Sequence, residues 1–159
     1  MTKRKTPRSE TAEVERDERL LADIAEYGLH IINVLEDQEG PPHSFSIGLY
    51  HRFKHPEIII VGLKTELMQN MINWAGDMIR EGQRLEIGKR YSGFLEGFEV
   101  TFREVDKRHY EEYLGYAIWF YKNSDFPVIQ CVWPTTNGYF PWDRKYPRDL
   151  KGWQVLLDK

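Results

Sequence analysis

Alternating apolar and polar positions predict several short strands. In residues 43–50, large apolar side chains alternate with Ser or Gly, which predicts a strand with one small, polar face. Residues 58–61 are continuously apolar, as in a strand covered on both faces, and are predicted to form the centre of the sheet. Residues 98–103 indicate a one-sided strand, residues 29–35 an inner strand, and residues 126–133 a last strand.

A period near 3.6 residues predicts three helices. The clearest covers residues 65–81, where apolar side chains recur at i, i+3, i+4 and i+7 behind Thr65 as the cap. A first helix is predicted to begin at Thr6 or Ser9 and to end near residue 26, with only its last two turns able to dock. Asp106 is predicted to cap a third helix over residues 107–122.

The remaining segments complete the fold prediction. Residues 85–87 and 91–95 read as short strands or loops, and residues 51–56 as a polar connection. Grouped strands with interposed helices favour an α+β fold over a doubly wound parallel sheet. We therefore predict a single α+β domain with a mainly antiparallel or mixed twisted sheet of about five to six strands, packed with three helices.

We expect one core. Residues 1–20 are predicted to be a charged N-terminal tail with a frayed helix start, residues 21–145 a single domain, and residues 146–159 a C-terminal tail packing on that domain. A chain of 159 residues with 41% hydrophobic and 30% charged residues has the balance of one globular domain.

Net charge and cysteine content limit the classes of binding partner and the cellular compartment that we expect. A net charge of −3 disfavours nucleic acid and anionic membranes, and the basic cluster of residues 3–8 is typical of a solvated tail. Cys131 is the only cysteine, which excludes an internal disulfide and fits a reducing compartment. No apolar run is long enough to span a bilayer or resembles a signal peptide. We expect a cytoplasmic protein that binds neither nucleic acid nor membrane.

The segment from residue 43 to residue 57 is the first candidate for chemistry. Small side chains on one strand face allow close approach of a ligand, and imidazole can act as a base or proton shuttle near neutral pH. Alternatively, the serines pack under a helix and the histidines cap strand ends. The candidate pocket comprises His43, Ser44, Ser46, His55, Glu57 and Trp133.

Specific cofactor and catalytic motifs are missing. His51 and His55 are spaced as helical metal ligands, but they lie in a predicted loop before Pro56, so no metal site is predicted. The chain contains neither a phosphate-binding loop nor a dinucleotide fingerprint, and no Gly-x-Ser-x-Gly elbow. The cofactor stays unknown, and no catalytic residue is assigned.

Two aromatic blocks are candidates for recognition. The third predicted helix carries more aromatic residues than one apolar stripe needs, which favours either an interface or coverage of the sheet edge. Residues 130–134 and 138–143 hold two tryptophans between prolines, and this block could clamp a small molecule or fix the C-terminal tail. The candidate interaction surface comprises Tyr116, Trp119, Phe120 and Trp142.

Several spaced blocks together resemble a bacterial family catalogued as domain of unknown function 4262. The resemblance covers about residues 21 to 145 and implies no activity and no catalytic residues. An acidic residue often follows the Trp-Pro pair in that family, whereas Thr135 stands there in this chain. The blocks are Tyr27-Gly28, residues 44–49, His55-Pro56-Glu57, and Gln130, Val132 and Trp133-Pro134 through Phe140-Pro141-Trp142.

Three hypotheses stay open at this point. The first is a small-molecule-binding domain or an enzyme with a His/Ser/Glu-lined pocket. The alternative is a non-catalytic interaction protein, for instance an immunity-type accessory protein, which predicts a broad aromatic patch. A weaker alternative is a flavin-binding sheet domain. The sequence leaves open whether the protein is an enzyme. It also leaves open the ligand, the partner and the oligomeric state.

Overall fold

A computed structural model describes residues 10–159. The basic cluster of residues 3–8 and the predicted helix starts at Thr6 and Ser9 lie outside the described residues. The helices are α1 (Glu10–Tyr27), α2 (Leu49–Phe53), α3 (Thr65–Arg80), α4 (Tyr110–Tyr113) and α5 (Gly115–Tyr121). The strands are β1 (His30–Val34), β2 (His43–Ile47), β3 (Glu57–Val61), β4 (Arg90–Leu95), β5 (Phe98–Glu104) and β6 (Val128–Val132).

The six strands form one mixed sheet in the order β1-β2-β3-β6-β5-β4. Strands β3 and β6 run parallel at its centre, and the other neighbours are antiparallel. The α+β prediction with a mixed sheet of five to six strands is confirmed, and so is the central place of residues 58–61. The prediction of an inner strand at residues 29–35 is wrong, because β1 is an edge strand whose two faces contact α1 and α3.

Each face of the sheet carries its own hydrophobic core. On one face α3 packs through Met68, Met71, Ile72 and Ala75 against apolar residues of β3, β5 and β6. On the other face, α1, α4, α5 and the C-terminal segment cover β2, β3 and β6. The central strands are therefore buried on both sides, which explains their continuous apolar pattern.

The helices differ in number and bounds from the prediction. The polar connection expected over residues 51–56 begins with α2, and the strand expected over residues 43–50 ends at Ile47. The third helix is interrupted at Leu114 and divided into a 3-10 turn, α4 and α5, although Asp106 does accept a bond from the Arg108 amide as predicted. Thr65 is the first residue of α3, and the N-cap position belongs to Lys64.

Two buried glutamines bind the C-terminal segment to β6 and to the residue that follows it. Gln130 accepts a bond from the Leu157 amide and donates to the Val155 carbonyl, at 2.9 and 2.8 Å. Gln154 accepts from the Trp133 amide and donates to the Trp133 carbonyl, both at 2.9 Å. Side-chain amides thus replace the backbone ladder of a further strand, and they hold Leu157 fully buried in the core.

Candidate functional site

Glu57, the first residue of β3, is a fully buried carboxylate surrounded by the chain's own donors. Its two oxygens accept bonds from two hydroxyl groups and three consecutive backbone amides. Because every donor points at one carboxylate, the ionised form of Glu57 is well satisfied despite its burial. The donors are Ser46 Oγ at 2.7 Å, the amides of Gly48, Leu49 and Tyr50 at 2.9, 3.2 and 3.2 Å, and the Tyr121 hydroxyl.

Gly48 makes this arrangement possible. Its φ of 117° lets the chain turn from β2 directly into α2, so that the first amides of α2 face Glu57. A Cβ at this position would lie 2.8 Å from the Gly28 carbonyl oxygen. Ser46 completes the corner, because its Oγ also accepts a bond from the Ile58 amide at 2.9 Å. The local sequence therefore builds a cap for α2 out of a side chain from the neighbouring strand.

Burial is the largest influence on the pKa values of Glu57 and Tyr121. Burial raises the pKa of Glu57, and the hydrogen bonds from Tyr121, Ser46 and the amides oppose that rise. Burial, followed by the charge of Glu57, raises the pKa of Tyr121 far above its usual range. The carboxylate is enclosed and occupied by protein donors, so in this conformation it anchors the fold and offers no oxygen to a substrate.

His55, two residues before Glu57 and buried, also has structural partners. The Leu85 amide donates to Nε2 at 3.0 Å, so the proton of a neutral ring must sit on Nδ1, which donates to the Pro56 carbonyl at 2.9 Å. Burial lowers the pKa of His55. This geometry holds the neutral imidazole and ties the segment after α3 to the start of β3.

A pH-dependent stability follows from His55. Its folded pKa lies below the unfolded value of about 6.5, so below that pH the unfolded chain binds a proton that the folded chain excludes. We expect wild-type stability to fall between about pH 7.5 and about pH 5, and to fall less in His55→Gln, whose amide can still accept from Leu85 and donate to Pro56. Urea unfolding midpoints at the two pH values measure the difference. An equal loss of stability in the wild type and in His55→Gln would contradict the assignment of this pH dependence to His55.

The other predicted pocket residues lie apart from Glu57. His43 pairs with Val61 at the opposite end of β3, about 13 Å along the strand, and its Nε2 lies 3.1 Å from the Tyr113 carbonyl oxygen. Ser44 donates to Asn33 at 2.7 Å. Trp133 follows β6 and donates from Nε1 to the Val61 carbonyl at 2.9 Å. Of the six candidates, the structure brings only Ser46 and Glu57 into hydrogen-bonding contact with each other.

The predicted interaction residues fall into two groups on different parts of the sheet. Trp119 is 43% exposed, and its ring lies 5.1 Å from the tilted ring of Tyr116 on the same helix. Phe120 is half-buried against His51. Trp142 lies over the β5 side, where it stacks on Phe140 and the Arg103 guanidinium stands 4.6 Å from its ring. Helix α5 contacts β2, three strands away from β5. That these four residues act together as one interaction surface stays a prediction.

A cleft of about 450 Å³ opens at the carboxyl ends of β3 and β6. Trp133 and Pro134 form its floor, and Leu63 enters from the segment after β3. The tip of the β4–β5 hairpin supplies Leu95 and Phe98 on one side. The loop after β6 and the C-terminal segment supply the other walls through Thr135, Thr136, Asn137, Tyr139, Lys145, Pro147 and Leu150.

Hydrogen bonds within the protein hold the walls and the floor of the cleft in place. Thr135 and Tyr139 are joined by an amide–carbonyl bond of 2.8 Å, and the Thr135 hydroxyl accepts from the Tyr139 amide at 3.0 Å. Trp133 is held at its backbone by Gln154 and at its ring by Val61. A preformed wall and a fixed aromatic floor reduce the ordering cost that a bound ligand would impose.

The described part of the chain contains neither a cluster of metal ligands nor a membrane-spanning helix. Within residues 10–159, no group of three or more His, Cys, Asp or Glu side chains is placed to hold a metal ion. Across the same residues, no helix combines the length and the apolar character needed to cross a membrane.

Comparison with known proteins gives one match. The family described as domain of unknown function (DUF4262) matches residues 23–147, more than half of the chain. The chain belongs to this family. No curated protein and no solved structure gives a significant match. The DUF4262 region includes Glu57 and most of the cleft lining, and Leu150 lies just beyond its end.

Sequence reasoning missed most of the cleft in this DUF4262 domain. Leu63, Leu95 and Lys145 belong to three separate segments, and nothing in their local pattern marks a site. One signal did exist, because the proline-flanked block around Gly138 suggested a rigid aromatic clamp. For Glu57, the signal was an acidic residue directly preceding an apolar strand, which requires buried partners.

Proposed function

We propose that this DUF4262 domain is a small-molecule-binding domain and that the ligand occupies the cleft at the carboxyl ends of β3 and β6. The supporting observation is the cleft itself, about 450 Å³ in volume and floored by the fixed ring of Trp133. Ligand pockets of proteins commonly measure about 300–1,000 Å³, combining apolar walls with a few polar groups.

The position in the fold gives independent support. In open α/β sheets, ligands bind outside the carboxyl ends of parallel strands, where consecutive connections diverge. Here the chain leaves β3 toward α3 and leaves β6 toward the C-terminal segment, and the two exits flank the cleft. The polar groups of its lining are the Thr135 and Thr136 hydroxyls, the Asn137 amide, the Tyr139 phenol and the Lys145 ammonium. The lining contains no carboxylate, thiol or imidazole, which favours binding over acid–base catalysis.

A substitution that fills the cleft tests the proposal. Thr136 is an exposed lining residue, and Thr136→Trp places a large ring at the rim without disturbing the core. We expect aromatic compounds of one to three rings, with flavin mononucleotide in the panel, to shift the Trp133 indole N–H resonance of the wild type. The variant should weaken that binding about tenfold.

Thr11→Trp serves as the matched control, because Thr11 is exposed on α1 and outside the cleft lining. It should bind as the wild type does, and Trp133→Phe assigns the resonance among the five tryptophans. Equal effects of the two Trp substitutions, or a wild type that binds no compound at Trp133, would refute the proposed function.

A further inference from the structure

The charge of the cleft indicates which ligands it prefers. Lys145 is the only charged residue of the lining, and no carboxylate lies among the lining residues. Within residues 10–159, no ion pair neutralises the Lys145 ammonium. An unpaired cation beside an apolar cleft is complementary to an anion.

The shape of the lining adds a second requirement. Trp133, Tyr139 and Phe98 bring three aromatic rings to a volume of about 450 Å³. The Trp133 ring cannot rotate away without breaking its 2.9 Å bond to the Val61 carbonyl. Aromatic rings favour flat partners, which stack or contact them edge to face. A flat ligand of one or two rings uses these surfaces and leaves its polar group at the rim.

We propose that the cleft selects planar aromatic monoanions, with the ligand ring against Trp133 and its carboxylate paired with Lys145. This inference rests on the proposed function, since it names the ligand class of the same cleft. Lys145 acts by charge at the rim, while Phe98 and Tyr139, which are partly exposed, and the 8% of Trp133 that stays exposed supply the aromatic contact area. No covalent step is involved.

Two isosteric probes separate charge from shape. We expect 2-naphthoate to bind the wild type about fivefold more tightly than 2-naphthamide at low salt, the upper range for an exposed ion pair. Lys145→Met should remove this preference by weakening the carboxylate while leaving the amide unchanged. Added salt should reduce the preference in the wild type, because exposed charges are screened. Dissociation constants come from titration of the Trp133 indole resonance.

Lys122→Met is the matched control, since Lys122 is exposed at the end of α5 and outside the lining. It makes the same charge change and should keep the fivefold preference. Equal binding of the two probes to the wild type, or a preference that survives Lys145→Met, would overturn the inference and leave the cleft a binding site. If neither probe shifts the Trp133 resonance, the inference is overturned, and the proposed function fails with it only when no compound of the aromatic panel shifts that resonance.

Discussion

Glu57→Gln should destabilise the protein by about 3 kcal/mol, a large part of the stability of a domain of this size. The reason is geometric. Gly48 and Tyr50 donate to one carboxylate oxygen and Leu49 donates to the other. Whichever way the glutamine amide is oriented, its NH₂ group faces at least one backbone N–H, which cannot accept a bond. The hydroxyls of Ser46 and Tyr121 can rotate, but the amides cannot.

Chemical denaturation at neutral pH measures this loss, with Glu99→Gln as the control on an exposed strand position. The control should change stability by less than about 0.5 kcal/mol. Tyr121→Phe should cost about 1.5 kcal/mol, because it removes one hydroxyl donor from a charged acceptor. A cost below about 1 kcal/mol for Glu57→Gln would show that the buried carboxyl is protonated at neutral pH, and would refute the carboxylate assignment.

Removal of residues 153–159 should cost more than about 4 kcal/mol and leave the domain marginally folded. Leu157 is fully buried, and truncating a buried leucine to alanine alone costs about 2–5 kcal/mol. The deletion also removes the hydrogen bonds that the Gln130 side chain and the Trp133 backbone make to the segment. Thermal and urea unfolding report the loss.

Deletion of Lys159 alone is the control, because its carbonyl makes only an exposed bond to His109. We expect a change below about 1 kcal/mol. A longer deletion that unfolds like the control would mean that the segment is dispensable. Since Gln154 also fixes the backbone of Trp133, a folded truncation should lose ligand binding at the cleft as well.

Strands and helices could be predicted from the sequence where a single burial pattern covered the whole element. The run at residues 58–61 identified the central strand because continuous apolar residues require cover on both faces. The period of α3 was equally clear, since one stripe of this helix meets the core. Prediction failed at β1, where helices on both faces imitate the burial of an inner strand, and at α2, a five-residue helix with no periodic signal of its own.

The candidate site was less predictable than the fold. Ser46 and Glu57 were both among the sequence candidates, and they meet because β2 and β3 are adjacent antiparallel strands. Tyr121, 64 positions from Glu57, could not be paired with it from sequence, because the contact joins α5 to the start of β3 and depends on how these two distant elements pack. His43 and Trp133 lie elsewhere because strand direction, rather than proximity along the chain, sets which strand ends meet.

By itself the sequence determined the class of fold, the central strand, the main amphipathic helix and the presence of buried polar residues needing partners. These properties follow from local periodicity and from the cost of burying polar groups. Only the tertiary structure decided which donors satisfy Glu57, which strand lies at the edge, and where a cleft opens. Those outcomes depend on contacts between distant segments, and such contacts leave no periodic trace in the residues that make them.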